Sequence, residues 1–145
     1  MTETYGIRRM PREFERARLA EHGNVAVVIL KHPEVMNALS PQMADGLIAA
    51  LAFASDAANG FRAIVLTGEG RAFCSGANLA EASSTQTGPP DAGRHLDEHY
   101  HPLLRSIRDL ELPFVTAVNG AAAGIGMSIA LTGDLILVAR SAFFV

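Results

Sequence analysis

Two glycine-rich segments are the parts of this 145-residue sequence whose residue types could support chemistry: residues 68–79 and residues 119–128. Each follows an apolar run typical of a buried strand, and ligands usually bind at the carboxyl ends of parallel strands. Small residues let backbone N–H groups approach a ligand closely, and two N–H groups aimed at one oxygen stabilise a developing oxyanion. The same glycines are compatible with tight turns and close helix packing, so composition alone leaves both interpretations open.

A serine inside the second segment suggests a different chemistry. Residues 126–130, Gly-Met-Ser-Ile-Ala, come close to the G-x-S-x-G pattern of a hydrolase nucleophile, which makes a serine hydrolase the alternative function. That pattern requires the serine at a sharp turn directly after a strand, whereas Ser128 lies well past Val118 and no histidine follows it in this sequence. The spacing therefore disfavours a nucleophilic serine.

A pair of histidines offers a metal-binding pattern. Residues 95–99, His-Leu-Asp-Glu-His, match the H-x-x-E-H motif of some zinc peptidases, and histidines four residues apart share one face of a helix. The sequence offers no residue to assign as a further carboxylate ligand, and a polar, solvated start of a helix explains the same residues. We therefore expect no metal site.

Apolar runs and their spacing predict the elements that must hold the glycine-rich segments. Strands are expected at residues 14–19 and 25–30 around a turn at 21–24, and again at 63–67, 114–118 and 135–139. The run 25–30 is expected to be buried on both faces, and 63–67 and 114–118 are expected to be further buried strands. Helices are expected after the capping residue Ser40 with Pro41 in first position, at 95–110, and at 125–132. Because helices join the strands, the predicted architecture is an α/β fold with a largely parallel sheet.

Composition excludes several classes of protein. Hydrophobic residues make up 49% and charged residues 19% of the sequence, so a packed core is expected. The formal net charge of −3 gives no basic surface for nucleic acid. The most apolar stretch, 115–139, is interrupted by Asn119, several glycines and Asp134, so no membrane partner is expected. A lone cysteine, Cys74, fits a reducing compartment, and we expect a cytoplasmic protein.

Three motifs, taken together, resemble one protein family. They are Asn-Ala-Leu at 37–39 before the serine-capped helix, Ala-Phe-Cys-Ser-Gly-Ala-Asn-Leu at 72–79, and Ala-Val-Asn-Gly-Ala-Ala-Ala-Gly-Ile-Gly at 117–126. In this order they resemble the enoyl-CoA hydratase/isomerase, or crotonase, family. The resemblance implies the ClpP/crotonase-like spiral of ββα turns, an acyl-CoA thioester substrate of lipid metabolism, and a homotrimer or hexamer. It implies no cofactor besides the coenzyme A that is part of the substrate.

The resemblance also implies a set of site residues. The backbone N–H groups of Ala77 and Ile125 would form the oxyanion hole and so be the catalytic groups. The substrate would be held by Val35, Met36, Ala38, Gly76, Asn78, Leu79, Ala80, Gly124 and Ser128. The first three of these would lie along the adenine and pantetheine of CoA, and residues 78–80 would line the acyl pocket.

One departure from the family pattern bears on the reaction. Hydratases of the family place a catalytic glutamate where this sequence has Ser128, and a hydroxyl cannot act as a general acid or base near neutral pH. The second glutamate of those hydratases would fall beyond Val145. We therefore favour an isomerase, with the ring-epoxide isomerases of phenylacetyl-CoA degradation most similar in look. An inactive homologue that only binds acyl-CoA is a further alternative.

The last residues suggest where the sequence lies within a domain. Residues 141–145, Ser-Ala-Phe-Phe-Val, form an apolar run without a cap or polar tail. We therefore interpret residues 1–145 as the N-terminal portion of one crotonase-type domain that lacks its C-terminal helices, with residues 1–13 expected to be flexible.

Overall fold

The computed structural model of the chain describes residues 11–78, 80 and 96–145. The strands of this part are β1 (Arg12–Phe14), β2 (Ala17–His22), β3 (Val25–Leu30), β4 (Ala63–Gly68), β5 (Ala72–Cys74), β6 (Phe114–Val118), β7 (Ala121–Ala122) and β8 (Leu135–Val138). The helices are α1 (Pro41–Ser55), α2 (His101–Arg108) and α3 (Ile125–Ala130). Short 3-10 turns cover Pro33–Val35 and Ala57–Asn59, and one π-helical turn, Leu96–Tyr100, leads into α2.

The strands form two sheets whose arrangement confirms the predicted parallel topology. The large sheet has the order β1-β2-β3-β4-β6-β8, in which β3, β4, β6 and β8 run parallel. The small sheet pairs β5 with β7, also in parallel. In both β4-β5-α2 and β6-β7-α3, the first strand joins the large sheet, the second joins the small sheet, and a helix follows. Repetition of this unit produces the expected ββα spiral.

The N-terminal hairpin differs from the prediction at both ends. The backbone of Arg16 has a φ of 52°, which breaks the expected arm 14–19 into the separate antiparallel strands β1 and β2. Strand β1 includes Arg12 and Glu13, which the sequence analysis assigned to a flexible segment. At the other end, β2 continues through His22, so the turn is shorter than the predicted residues 21–24.

Helix α1 follows its sequence signals. The Ser40 hydroxyl accepts a hydrogen bond from the Met43 N–H at 3.2 Å, and Pro41 occupies the first helical position. Its apolar stripe is buried against β2 and β3, as predicted: Met43, Leu47, Ala50, Leu51 and Ala54. Helices α2 and α3 end two residues earlier than predicted, at Arg108 and Ala130. None of the helices in the described part of the chain is long and apolar enough to cross a membrane.

Burial of the strands is one-sided rather than complete. In β3, Ala26, Val28 and Leu30 are fully buried, whereas the alternate residues of the strand are half-buried. The prediction of strands buried on both faces is therefore wrong for β3. Strand β8 is more exposed still, with Leu135 66% exposed and Leu137 62% exposed. The cause is position, since β8 is an edge strand and the described residues leave its faces exposed.

Candidate active site

The two glycine-rich segments run side by side along the small sheet. Cys74 in β5 pairs with Ala122 in β7, and the N–H of Ala123 donates to the carbonyl oxygen of Cys74 at 3.0 Å. Three residues beyond this pair, the first segment reaches Ala77 and the second segment reaches Ile125. The two N–H groups assigned to the oxyanion hole thus each lie three residues beyond the last paired residues of the small sheet.

Two glycines, Gly76 and Gly124, lie where the two glycine-rich segments run close together. A Cβ atom added to Gly124 would lie 4.0 Å from the Cα of Gly76, and one added to Gly76 would lie 3.4 Å from the carbonyl oxygen of Ala123. Gly76 has a φ of 116° and Gly124 a φ of 53°, both in the region where residues with a side chain are strained. The residues directly before the two assigned donors therefore lie near each other in the structure.

The backbone hydrogen bonds around Ala77 use its neighbours. The N–H of Ser75 donates to Met36 at 3.0 Å, and the N–H of Asn78 donates to Leu39 at 2.8 Å. Among the backbone hydrogen bonds found within residues 11–78, 80 and 96–145, Ala77 is not a donor. Its N–H group is therefore available to a ligand.

The same holds at the start of α3. The N–H of Gly124 donates to Val145 at 3.1 Å, and the N–H of Gly126 donates to Ala123 at 2.8 Å. Ile125 lies between them as the first residue of the helix, where an N–H group has no intrahelical acceptor. Among the described residues, the N–H of Ile125 donates to no backbone carbonyl. The helix terminus adds a partial positive charge at this point.

The segment expected to contact CoA lies against the first loop. Val35 and Met36 follow one another at the end of a 3-10 turn and are 38% and 37% exposed. The hydroxyl of Ser75 donates to the Val35 carbonyl at 3.3 Å, and this bond holds Val35 and Met36 beside the glycine-rich segment 68–79. Ala38 is buried, so its side chain offers little surface to a ligand.

The residues expected to line the acyl pocket have different surroundings. Asn78 is buried, whereas Ala80 is exposed at the other end of this stretch. Leu79 lies outside the described residues. Gly124, on the neighbouring loop, is exposed.

Ser128 faces an open cavity between α2 and α3. The cavity has a volume of about 590 Å³ and is lined by His101, Leu104, Arg105, Ile107, Arg108, Ser128 and Thr132. Ser128 is the fourth residue of α3, and its hydroxyl donates to the Gly124 carbonyl at 3.5 Å. In the described part of the chain that hydroxyl has no hydrogen bond to an imidazole. The helical position differs from the strand-to-helix turn that a hydrolase nucleophile requires.

Two other residues named in the sequence analysis have assignable surroundings. Cys74 is fully buried, and burial raises the pKa of its thiol. The Asp134 carboxylate accepts from the Phe114 N–H at 2.8 Å and so caps a backbone donor at the start of β6. His95 of the histidine pair lies outside the described residues, and within them no group of three or more His, Cys, Asp or Glu side chains is arranged to hold a metal ion.

Two asparagines that the sequence analysis did not assign to the site bind the loop that leads to Ala77. The Nδ2 of Asn37 donates to the carbonyl oxygen of Ala72 at 2.9 Å, and the Nδ2 of Asn119 donates to the same oxygen at 3.2 Å. Both asparagines lie within the family-like motifs, but a sequence pattern does not show which distant carbonyl an amide contacts.

Comparison with known proteins identifies relatives of two activities. The family model for enoyl-CoA hydratase/isomerase matches residues 20–145. A Rhodobacter capsulatus protein named probable enoyl-CoA hydratase is 48% identical over 120 residues, which cover 83% of this chain and 44% of the relative. The 1,2-epoxyphenylacetyl-CoA isomerase of Escherichia coli is 39% identical over 122 residues, covering 83% of this chain and 46% of that enzyme.

Solved structures agree with this assignment. The crystal structure of an enoyl-CoA hydratase from Polaromonas sp. JS666 superposes with a TM-score of 0.79 at 35% identity, covering 88% of this chain and 49% of that one. The chain spans about half the length of the curated relatives it matches. By its sequence over residues 20–145 and by its spiral of ββα turns, the chain belongs to the enoyl-CoA hydratase/isomerase family.

Proposed function

We propose that this chain binds an acyl-CoA thioester and polarises its carbonyl through the N–H groups of Ala77 and Ile125. The observation that carries the proposal is the pairing of Cys74 with Ala122, since Ala77 and Ile125 each follow three residues later. The residues before the two donors are also near each other, because a Cβ atom added to Gly124 would lie 4.0 Å from the Cα of Gly76. Neither donor uses its N–H on a backbone acceptor in the described structure.

Two such donors favour formation of an enolate. When a base removes the C2 proton of the acyl group, the electron pair of the broken C–H bond moves towards the thioester, and negative charge develops on its oxygen. Each well-placed N–H donor lowers the barrier to such a step by about 3 kcal/mol. We place the base on a carboxylate beyond Val145 and assign it to none of the described residues.

Ser128 favours an isomerase over a hydratase. An isomerase returns the same proton to another carbon of the acyl group, so one carboxylate is enough. Water addition needs a second acid–base group, and the hydroxyl that faces the cavity here cannot supply it near neutral pH. The R. capsulatus relative is named as a hydratase and the E. coli relative as an isomerase, so the names of the relatives do not decide between the two.

The exposed side chains of Val35 and Met36 provide the contact surface for CoA in this proposal. They lie beside Ser75, one residue before Gly76. Apolar surface next to a polar backbone site suits pantetheine, which has both methylene and amide groups. No further cofactor enters the proposed reaction.

A substrate comparison tests the isomerase assignment. The protein that carries this sequence is incubated with a 3-enoyl-CoA and, separately, with a 2-enoyl-CoA, while the absorbance of the conjugated thioester is followed. We expect the absorbance to rise with the 3-enoyl substrate, as the double bond moves into conjugation, and to remain constant with the 2-enoyl substrate. A rapid fall with the 2-enoyl substrate, matched by 3-hydroxyacyl-CoA in the product, would contradict the assignment.

A variant at Ser128 sharpens this test. Ser128→Glu supplies the carboxylate that hydratases of the family have at this position, and Ser128→Gln provides similar volume without the charge. We expect only the Glu variant to gain water addition. If the unsubstituted protein hydrates the 2-enoyl substrate as fast as Ser128→Glu does, Ser128 does not determine the reaction.

A further inference from the structure

The carbonyl oxygen of Ala72 is the meeting point of two side-chain amides from distant parts of the chain. Asn37 lies just before α1, and Asn119 lies between β6 and β7. Their Nδ2 atoms are 2.9 Å and 3.2 Å from the Ala72 oxygen. Ala72 is itself 1% exposed; its hydrogen bond from Asn37 is buried and that from Asn119 is part-buried, so leaving the Ala72 oxygen without these donors would cost stability.

Other hydrogen bonds hold both amides in one orientation. The Asn119 Oδ1 accepts from the Gly68 N–H at 3.0 Å, and its Nδ2 also lies 3.0 Å from the Gly70 oxygen. The Asn37 Oδ1 accepts from the His32 N–H at 2.8 Å. Because the oxygen of each amide is engaged by a donor, the nitrogen must face Ala72.

The small sheet needs such support because its own pairing is short. Strand β5 has three residues and β7 has two, with an irregularity in register between Ala72 and Cys74. A two-stranded ladder of this length is marginal by itself. Side-chain hydrogen bonds at the start of β5 therefore contribute substantially to fixing where β5 lies along β7.

Asn119 connects the two halves of the proposed oxyanion hole. It precedes β7, which leads to Ile125, and its side chain holds the first residue of β5, which leads to Ala77. We propose that Asn119 is a positioning residue that sets the spacing between the N–H groups of Ala77 and Ile125. Asn37 assists by fixing β5 to the segment that contains Val35 and Met36.

This inference rests on the proposed function. It predicts in addition that polarisation of the carbonyl and binding of CoA respond differently to loss of the Asn119 amide. Stabilisation of an oxyanion depends on donors held at hydrogen-bonding distance from one oxygen, and loss of one donor lowers kcat by about 10²–10³-fold. Contacts to the CoA portion do not depend on that spacing. Loss of the Asn119 amide should therefore reduce polarisation of the thioester carbonyl while CoA binding changes little.

The test measures carbonyl polarisation directly. Butanoyl-CoA with ¹³C at the thioester carbonyl is bound to the chain, and the carbonyl stretching frequency is recorded by vibrational difference spectroscopy. The dissociation constant is determined in parallel by calorimetry. With the unsubstituted chain we expect a shift to lower frequency on binding. With Asn119→Ala and Asn119→Asp, more than half of that shift should disappear while the dissociation constant changes less than about fivefold, because binding to CoA and polarisation are separate interactions.

Matched variants exclude a general effect on the fold. Asn119→Asp keeps the acceptor for the Gly68 N–H but places an oxygen opposite the Ala72 carbonyl. Asn59→Ala serves as the control, since Asn59 also donates from Nδ2 to a backbone carbonyl, that of Phe53 at 2.9 Å, away from the small sheet. Asn59→Ala should keep the full frequency shift. Should Asn119→Ala or Asn119→Asp not fold, Asn119→Ser, which keeps a smaller hydrogen-bonding group, takes its place.

Each outcome has a definite meaning. No shift in the unsubstituted chain contradicts the proposed function, and the role of Asn119 falls with it. A full shift in the Asn119 variants, with the unsubstituted chain also shifted, contradicts the positioning role alone. Equal losses in Asn59→Ala and the Asn119 variants would show a general loss of stability and would also overturn the inference.

Discussion

At the residue scale, the proposed chemistry depends on backbone groups rather than on reactive side chains. The two assigned donors are main-chain N–H groups, so the side chains of Ala77 and Ile125 do not take part in the bond they make. What their positions require is the glycine before each of them, because Gly76 and Gly124 adopt positive φ angles. The polar side chains that do matter, such as Asn119, act by holding backbone in place.

Cys74 allows a prediction at this scale. Its thiol is fully buried, and burial raises its pKa. The thiolate is the form that reacts with disulfide reagents, so the folded chain should react much more slowly than the unfolded chain at pH 8. Ellman's reagent, with and without urea, measures this difference. Equal rates would show that Cys74 is accessible in the folded state.

The same pKa shift predicts a dependence of stability on pH. Because the pKa of the thiol is higher in the folded chain, the unfolded chain ionises first as the pH rises. The contribution of Cys74 to the free energy of unfolding is therefore constant below the ordinary thiol pKa and decreases above it. Urea unfolding at pH 7 and pH 10 should show a larger loss for the unsubstituted chain than for Cys74→Ala. An identical loss in both would contradict the shift.

At the element scale, local signals and close backbone contacts determine how the helices are held. Helix α1 begins at a serine cap with proline in first position, so its start is specified locally. Helix α3 is short and has no side-chain cap, and its position depends on contact with β5. The two helices should therefore respond differently to substitution.

The cap of α1 can be tested by Ser40→Ala. Ser40 is fully buried and accepts from the Met43 N–H, so its removal leaves a buried donor without its partner. We expect the free energy of unfolding to fall by about 1–2 kcal/mol. Ser55→Ala, at the exposed last residue of the same helix, is the matched control and should change stability by less than about 0.5 kcal/mol. Urea denaturation followed by circular dichroism gives both values, and equal stabilities would show that the cap contributes nothing.

The contact between α3 and β5 can be tested by Gly126→Ala. A Cβ atom at Gly126 would lie 2.2 Å from the carbonyl oxygen of Cys74, a backbone atom that cannot move without shifting the strand. We expect a loss of about 2 kcal/mol or more, despite the better helix propensity of alanine. Ser128→Ala, at an exposed position of the same helix, should leave stability within about 0.5 kcal/mol. A Gly126→Ala chain as stable as the unsubstituted one would contradict the packing described.

At the scale of the whole molecule, one edge of the large sheet presents apolar surface. All four residues of β8 are exposed, and the apolar residues 143–145 are exposed as well. Contiguous apolar surface of this kind favours association. The trimer or hexamer that the family resemblance implies remains a prediction.

Association through β8 is the prediction at this scale. We expect the 15.4 kDa chain to form larger species whose population rises with protein concentration. Leu135→Lys combined with Leu137→Lys should shift the population to the monomer, because both side chains lie on one face of β8 and are exposed. Leu131→Lys is the control, since Leu131 is also exposed but lies outside β8. Light scattering after size-exclusion chromatography measures the mass, and a monomer at every concentration would contradict the prediction.

Elements whose signals are local could be predicted from the residues alone. The apolar runs of β3, β4 and β6, the cap and stripe of α1, and the parallel order of strands joined by helices follow from the spacing of neighbouring residues. The three motifs also identified the family that the comparisons establish. Short strands such as β5 and β7 were not predicted, because two or three residues are too few to show a hydrophobic periodicity.

Which distant segments meet depends on the fold rather than on any local pattern. The convergence of the loops before Ala77 and Ile125 depends on the pairing of β5 with β7, and Asn37 and Asn119 reach one carbonyl because separate turns of the spiral bring them there. The exposure of β8 likewise depends on its place at the edge of the sheet rather than on its composition. Local sequence sets backbone preference and the start of a capped helix, whereas the buried face of an apolar strand and the contacts between remote residues follow from how the packed elements stack.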